Sequence, residues 1–404
     1  MGGVLMDAQA AYTIGRRVRA IRKSRDKTLE VVAGLAGTSA ATLSRIETGK
    51  IPLDNLKMIV ALANALEVAP SELTRLPVPA PANGHTDSTT EAVRLALDSI
   101  DIERPGGIVL PLAVLRDQVA QIHQQRRACQ FAEVATELPE LIRNLHTTLA
   151  TGTDHAELLD LGVYLHVHVT RFWLIESAAP DDLLRRVAFL ARRLAQERDE
   201  VTTLAFASFA VADVLLCGGA FQLGQAEADS ITLPPTTAGT AGLVGQVTAL
   251  HAHAAQLNGR PGDVTAALDS AAELAERFGA TGDTDSVGYL FGPVDLGRYR
   301  MHRALDADEP DQAVSIAQGV DPERHPFAVN RSGYWIDYGR ALSRLRGRRD
   351  EAVMALRTAE ELFPTKFRRQ PMVREVLAGL LTRVRRDAVS QELRRMAFRA
   401  GLTT

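Results

Sequence analysis

This chain of 404 residues has little cysteine, few aromatic residues and no long uninterrupted hydrophobic run. Its two cysteines, Cys129 and Cys217, lie far apart and match neither a disulfide framework nor the spacing of a zinc site. The most apolar stretch, Val201 to Cys217, is interrupted by polar residues and is short for a membrane span, so we expect a buried helix. The first residues lack the basic-then-apolar pattern of a secretion signal. These absences favour a protein of the reducing cytoplasm without membrane attachment.

Sequence motifs of common catalytic sites are also missing. We find no GxSxG, no phosphate-binding GxxxxGK[ST], no HExxH and no GxGxxG after a strand pattern, so we predict no enzymatic activity and no cofactor. Two histidine pairs, His166 with His168 and His251 with His253, are spaced by two residues. Such residues point apart on a helix and cannot share a metal ion from one face, so no metal site is predicted.

Charge is distributed unevenly along the chain. The whole chain carries a formal charge of −3, yet residues 13–76 hold eleven Lys or Arg against six Asp or Glu, a net +5. The remainder is therefore acidic. A basic module attached to an acidic body indicates nucleic-acid binding by the module alone.

The composition divides the chain into three parts, and 404 residues exceed what one ordinary core holds. Residues 12–76 are basic and helical in pattern. Residues 77–90, PVPAPANGHTDSTT, are rich in proline and small polar residues and read as a linker. From residue 91 to residue 404, apolar residues recur at three- and four-residue spacing, which is typical of successive helices.

Several segments of this helical region are similar to one another. A polar turn followed by a helix begins at Gly259, at Glu309 and at Gly347. When the first and third segments are aligned, Leu268 corresponds to Leu356 and Ala271 to Ala359. The pattern resembles the second helix of a tetratricopeptide repeat, in which small residues let two antiparallel helices pack closely. We therefore expect an α-solenoid of tetratricopeptide-like helix pairs that senses a signal and dimerises.

The most specific pattern lies between Thr28 and Pro52. Thr28 is suited to cap a helix, Gly37 to form a tight turn, and Ser39 to cap the following helix, which Gly49 ends. A basic helix from Ile14 to Lys27 precedes this pattern. After it, Asp54 is predicted to cap the apolar helix LKMIVALANAL, and a short helix follows from Pro70. The result is an all-α, five-helix domain.

This arrangement resembles the lambda-repressor-like, or xenobiotic-response-element (XRE), family of helix-turn-helix domains from Ile14 to Leu73. The resemblance depends on Arg22 at the end of the first helix, Ala33 at the helix crossing, Gly37 in the turn, Ser44-Arg45-Ile46-Glu47, and Gly49. It implies that the helix beginning at Ser39 enters the major groove of DNA. It also implies an ion pair between Arg22 and Glu47.

The same resemblance implies roles for matching residues. Arg45 is expected to contact guanine, and Ala40 and Ala41 to face bases with only apolar contact to a thymine methyl. Because two alanines make direct readout of bases thin, shape readout gains importance. Leu29 replaces the glutamine that usually contacts a phosphate in this family, which removes one hydrogen-bonding group from the backbone contacts. The remaining predicted DNA-binding residues serve phosphates, base edges or the preceding cap: Arg16, Arg17, Thr28, Ser39, Thr42, Ser44, Thr48 and Lys50.

A helix-turn-helix head joined to a helical-repeat body resembles in architecture the RRNPP group of peptide-sensing regulators. The resemblance implies a groove that binds a signalling peptide and shifts the dimer between two states. Candidate groove residues are polar or aromatic side chains on otherwise apolar helices, with core packing or surface solvation as the alternative: Arg171, Trp173, Asn258, Arg298, Tyr299, Asn330, Tyr334, Trp335 and Tyr338.

These observations predict a sequence-specific transcriptional regulator that binds a double-stranded DNA operator as a homodimer and senses a ligand, with a peptide favoured. Two alternatives stay open. One is a protein-interaction scaffold that uses the repeat groove. The other is a regulator with a small-molecule pocket inside the helical array.

Overall fold

The computed structural model describes residues 13–74, 85–278, 291–382 and 388–402. Across these ranges every regular element is a helix, which confirms the all-α prediction. The chain divides into two compact units. The first comprises Met1–Pro81, Met301–Gln318 and Ser332–Thr404; the second comprises Ala82–Arg300 and Gly319–Arg331.

Five short helices open the first unit. They are α1 (Ile14–Ser24), α2 (Leu29–Leu35), α3 (Ala40–Glu47), α4 (Leu56–Leu66) and α5 (Pro70–Thr74). Their apolar faces meet in one core, in which Val18, Val32, Leu43, Leu62 and Leu66 are fully buried. The five-helix prediction is therefore confirmed, and hydrophobic burial around a centre shared by all five helices holds them together.

The helices that follow vary more in length, from 6 to 20 residues. They are α6 (His85–Asp101), α7 (Leu112–Arg127), α8 (Phe131–Leu149), α9 (His155–Tyr164), α10 (Arg171–Glu176), α11 (Asp181–Arg198), α12 (Val201–Cys217), α13 (Phe221–Asp229), α14 (Ala238–Leu257) and α15 (Pro261–Phe278). The chain continues with α16 (Pro293–Asp306), α17 (Pro310–Gln318), α18 (Ala328–Arg344), α19 (Arg349–Leu362), α20 (Pro364–Arg369), α21 (Pro371–Leu381) and α22 (Ala388–Arg399). Among the described helices, none combines the length and the apolar character that a membrane crossing requires.

Three details differ from the sequence-based expectations. Helix α6 begins at His85, inside the predicted linker 77–90, because no proline follows Pro81 to prevent a helix; residues 77–84 lie outside the described part. The cap of α4 is Asn55, whose Oδ1 accepts the Met58 N–H at 3.1 Å, and not Asp54. Leu35 belongs to the apolar spacing Leu29, Val32, Ala33 and Leu35, which predicts a buried side chain, yet it is 65% exposed.

The predicted repeats correspond to real helices. The segments that begin at Gly259, Glu309 and Gly347 form α15, α17 and α19. The aligned alanines Ala271 and Ala359 are both fully buried. In the second unit, α15 folds back on α14 through a turn of three residues. In the first unit, a Cβ added to Gly339 of α18 would lie 2.7 Å from Leu356 of α19, so the absence of a side chain permits this close packing.

One long helix of the second unit contains a wider turn. Between α9 and α10, residues Leu165–Thr170 form a π-helical turn, and all six are buried. Further along, α12 is buried over most of its length, as its apolar sequence predicts. The π-helical turn directly follows Tyr164, the last residue of α9, and such turns are frequent at functional sites.

Candidate nucleic-acid interface and ligand cavity

Local hydrogen bonds build the turn between α2 and α3. The Val31 N–H donates to Thr28 Oγ1 at 3.3 Å, and the Thr42 N–H donates to Ser39 Oγ at 3.0 Å. Gly37 has a φ of +68°, a left-handed conformation that glycine adopts without strain. The two predicted caps and the predicted glycine turn are therefore confirmed.

A buried ion pair holds α3 against α1. Arg22 Nε lies 2.6 Å from Glu47 Oε1, and Arg22 Nη2 lies 2.8 Å from Glu47 Oε2. This bidentate contact confirms the pair implied by the family resemblance. The hydrogen bonds to Glu47 raise the pKa of the Arg22 guanidinium despite its burial. The pair, with Leu43 and Ile46 buried beneath it, fixes which side of α3 faces outward.

The outward side of α3 carries the residues predicted to read bases. Ala41, Arg45 and Thr48 are exposed and lie on one face, at intervals of four and three residues. Within the described ranges, no side chain bonds to the Arg45 guanidinium. Lys50 and Ser39 are also exposed, whereas Ala40, Thr42 and Ser44 are half-buried. An unengaged arginine among small side chains can approach a base edge closely.

The other residues predicted to contact DNA lie outside α3. Arg16 is exposed, but Arg17 is half-buried, with its Nη2 atom 3.8 Å from a carboxylate oxygen of Glu72. The Thr28 hydroxyl caps α2. Leu29, which replaces the family's glutamine, packs against the five-helix core. The DNA-binding roles of Arg16, Arg17 and Thr28 stay predictions.

Two of the predicted groove residues are core residues. Arg171 is fully buried, pairs with Asp213 and places its guanidinium carbon 4.3 Å from the ring centroid of Phe172. Trp173 is fully buried and stacks on Phe131, with ring centroids 5.1 Å apart. Neither side chain is accessible to a peptide, so the packing alternative describes both.

The remaining groove candidates do not converge on one place. In the second unit, Asn258 caps α14 through Ala254 O at 2.9 Å, Tyr299 bonds to Gln246 beside Arg298, and Asn330 donates to Asp295 at 3.3 Å. In the first unit, Tyr334 is buried and donates to Ala317 O at 3.0 Å, while Trp335 and Tyr338 are half-buried neighbours. Peptide binding by these residues stays a prediction.

A cavity of about 440 Å³ lies in the second unit, beside the π-helical turn. One wall is polar: Arg198 Nε lies 3.0 Å from Asp160 Oδ2, and Thr203 Oγ1 lies 2.9 Å from Asp160 Oδ1. Tyr164 and Phe206 supply an aromatic wall. The further lining residues are Val163, Glu200, Thr202, Thr237 and Thr240. The sequence analysis missed this cavity because its residues come from four separate helical segments and form no motif.

Four buried histidines form two pairs in the second unit, and one pair, His123 and His168, contacts the aromatic wall. His166 Nε2 lies 2.8 Å from His146 Nε2, and His168 stacks on His123, whose Nδ1 lies 2.6 Å from Tyr164 Oη. His166 and His168 thus point to different neighbours, as their spacing predicts. Burial lowers the pKa of His146 to about 4. Over the described residues, no group of three or more His, Cys, Asp or Glu is arranged to hold a metal ion.

Comparison with known proteins agrees with the geometry of α1 to α5. Residues 13–76 match a family described as a helix-turn-helix domain. No curated protein matches the sequence. Among solved structures, PlcR from Bacillus thuringiensis, crystallised with the peptide PapR7 and DNA, is 12% identical with a TM-score of 0.30 over 76% of this chain and 95% of PlcR. A TM-score of this size does not establish a shared fold. The family match and the capped α2–turn–α3 geometry together show that residues 13–76 form a helix-turn-helix domain.

Proposed function

We propose that this protein is a non-enzymatic, cytoplasmic transcriptional regulator that binds a double-stranded DNA operator through α3. The observation that carries the proposal is the exposed face of α3 in a helix-turn-helix domain, on which the Arg45 guanidinium bonds to no side chain among the residues that the structure describes. Arg45 contacts a guanine, and the adjacent Ala41 contacts a thymine methyl. Lys50 contacts the phosphate backbone.

The protein acts as a homodimer on two half-sites. A single helix-turn-helix head buries too little DNA surface for tight specific binding, whereas two heads on a two-fold operator double the contacts. The helical region supplies the dimer interface and the sensor, with a peptide as the ligand expected from the sequence. Ligand binding then shifts the population between two arrangements of the dimer.

The DNA-binding proposal is tested by selecting duplex fragments from a random library with the full chain. The wild type is expected to enrich one sequence, and Arg45→Ala to weaken binding to it by about 5- to 150-fold, since a bidentate guanine contact contributes about 1–3 kcal/mol. Arg116→Ala removes an exposed arginine of the second unit and is the matched control. No enrichment by the wild type, or equal affinity of Arg45→Ala, would overturn the proposal.

The cavity supports a second candidate for the sensed signal, a small molecule. Its volume is in the range of small-ligand sites, and it joins an aromatic wall to carboxylate, guanidinium and hydroxyl groups. A thermal-shift screen of small amines and sugars against the full chain tests this candidate. A stabilising compound whose effect disappears in Phe206→Ala, but persists in Phe189→Ala on an exposed part of α11, supports it. Stabilisation by short peptides alone would favour the peptide ligand.

A further inference from the structure

A buried carboxylate follows the recognition helix in the first unit. Asp54 lies near the end of the loop of residues 48–55 between α3 and α4, and its side chain is only 2% exposed. Asp54 Oδ2 lies 3.2 Å from Arg340 Nε, and Asp54 Oδ1 lies 2.6 Å from Arg344 Nη2. Arg340 Nη2 also donates to the Asp54 carbonyl at 2.9 Å. Side chain and backbone of one residue are therefore held by two arginines.

Both arginines come from α18, one turn apart and on the same face. Further bonds fix them in place: Arg340 Nη1 donates to Asp337 at 2.7 Å, and Arg344 Nη1 donates to Leu305 O at 2.8 Å. Next to Asp54, the Asn55 side-chain amide donates to Asp306 O at 2.8 Å. An anchored pair of arginines is a rigid support for the loop, since the guanidinium groups have little freedom left to lose.

Helix α21 holds the helix-turn-helix domain at a second place. The Glu375 carboxyl accepts the N–H groups of Ile14, at the start of α1, and of Leu53, beside Asp54. Met372 packs against the five-helix core. Segments that lie between 286 and 361 residues apart in sequence thus meet at the helix-turn-helix domain.

The supported loop is joined directly to the DNA-facing end of α3. The N–H groups of Lys50 and Ile51 both donate to the Arg45 carbonyl, at 2.8 and 3.2 Å. The exposed face of α3 stays uncovered by this packing, because Ala41, Arg45 and Lys50 are exposed. The contacts of Arg340, Arg344 and Glu375 therefore fix the loop without covering the exposed face of α3.

We propose that Arg340 and Arg344 are positioning residues for DNA binding, which hold Asp54 and thereby place Lys50 at the phosphate backbone. The unit that binds DNA then includes the C-terminal helices α18 and α21 as well as residues 13–76. This inference depends on the proposed DNA-binding function. It also links α18 to the DNA-contacting loop through the direct contacts of Arg340 and Arg344 with Asp54.

The test uses the full chain and the duplex that the selection yields. Asp54→Asn keeps the shape of the side chain but removes its charge, and is expected to lower affinity at least tenfold and to speed amide hydrogen exchange at residues 49–55. Asp308→Asn is the matched control, because Asp308 is the 88%-exposed partner of the same Arg344. It is expected to change affinity less than twofold.

A double-mutant cycle separates positioning from a general loss of structure. If Asp54 acts by placing Lys50, the effects of Asp54→Asn and Lys50→Gln on affinity are strongly non-additive, because the second change removes a contact already lost. Additive effects, or wild-type affinity of Asp54→Asn, would overturn the proposal.

Two further measurements keep the outcomes distinct. If Asp54→Asn fails to fold, the test uses Arg344→Lys, which keeps the positive charge but loses the paired donors of the guanidinium. This variant is expected to lose less affinity than Asp54→Asn, and its effect on affinity should again be non-additive with that of Lys50→Gln. Additive effects would contradict positioning. If the wild type selects no DNA, the proposed function fails. In that case, an unchanged rate of amide hydrogen exchange at residues 49–55 in Asp54→Asn would show that Asp54 does not hold the loop in place either.

Discussion

Arg22 binds the carboxylate of Glu47 through two nitrogens, at 2.6 and 2.8 Å, where both side chains are almost fully buried. Removal of one partner leaves the other charged and desolvated. We expect Glu47→Ala to lower the free energy of unfolding of the helix-turn-helix domain by about 3–5 kcal/mol. Urea denaturation followed by hydrogen exchange in α1 and α3 measures the loss.

The control for this pair is Glu67, whose side chain is 72% exposed beside Arg25 at 3.7 Å and Lys27 at 2.8 Å. Because solvent screens exposed pairs, Glu67→Ala is expected to lower the free energy of unfolding far less than Glu47→Ala does. Equal losses for both variants would contradict the role assigned to burial.

Gly15 lies where α1 crosses α3. A Cβ at this position would come within 2.1 Å of the Ile46 carbonyl oxygen, and backbone cannot move aside cheaply. Gly15→Ala is expected to lower the thermal midpoint, with a cost of about 1–3 kcal/mol from overpacking.

Gly34 on α2 has no neighbour within 4 Å of an added Cβ. Gly34→Ala is therefore expected to stabilise the protein by about 0.5–1 kcal/mol, through helix propensity alone. Calorimetry of both variants measures whether Gly15→Ala destabilises the protein while Gly34→Ala stabilises it.

Lys50 and Arg45 are expected to differ in what their loss does to DNA binding. Lys50→Gln should weaken binding to all sequences alike and reduce the slope of log affinity against log salt by about 1, since one phosphate contact is lost. Arg45→Ala should instead reduce the ratio of the affinity for the operator to the affinity for random DNA. Titrations at several salt concentrations on both duplexes measure this. A loss of sequence preference in Lys50→Gln would show that the two roles are misassigned.

Burial raises the pKa of Glu375 to about 8, although the N–H groups of Ile14 and Leu53 oppose the shift; Asp54 raises the pKa further and Arg374 lowers it. The folded state then keeps a proton that the unfolded chain releases near pH 4.5. The free energy of unfolding should fall as pH rises from about 4.5 to about 8, and level off above it.

Glu375→Gln tests this expectation because the amide oxygen still accepts the Ile14 N–H and does not titrate. Between pH 6 and pH 8 the wild type should lose about 2–3 kcal/mol more than the variant. Exposed Glu361 gives a control, Glu361→Gln, that should follow the wild type. Parallel profiles of wild type and Glu375→Gln would contradict the assignment.

His146 gives the opposite pH dependence. Burial, with Arg193 nearby, lowers its pKa to about 4, so the folded state stays neutral while the unfolded chain takes up a proton near pH 6.5. Stability is complete above about pH 6.5 and is lost as pH falls towards 4. Between pH 7 and pH 5 the wild type should lose about 2 kcal/mol more than His146→Gln. Urea denaturation at both pH values measures the loss. Parallel pH profiles of the wild type and His146→Gln would contradict this expectation.

The sequence by itself determined the helix-turn-helix geometry. Thr28, Gly37 and Ser39 act on backbone groups within three residues, so their roles can be read from a short window. The repeat alanines Ala271 and Ala359 were likewise predicted, because the three- and four-residue spacing of small and apolar side chains indicates which face of a helix is buried. Local spacing was sufficient wherever the interacting groups are close in sequence.

Tertiary structure decided what the long-range partners are. Asp54 has the sequence context of a helix cap, and only the return of α18 beside it makes it the centre of a buried ion-pair network with Arg340, 286 residues away. Arg171 has the sequence context of a groove residue, and only the position of Asp213 makes it a core residue. Charge and polarity fix which interactions a side chain can make, but packing between distant segments decides which partner is there and whether water is excluded from it.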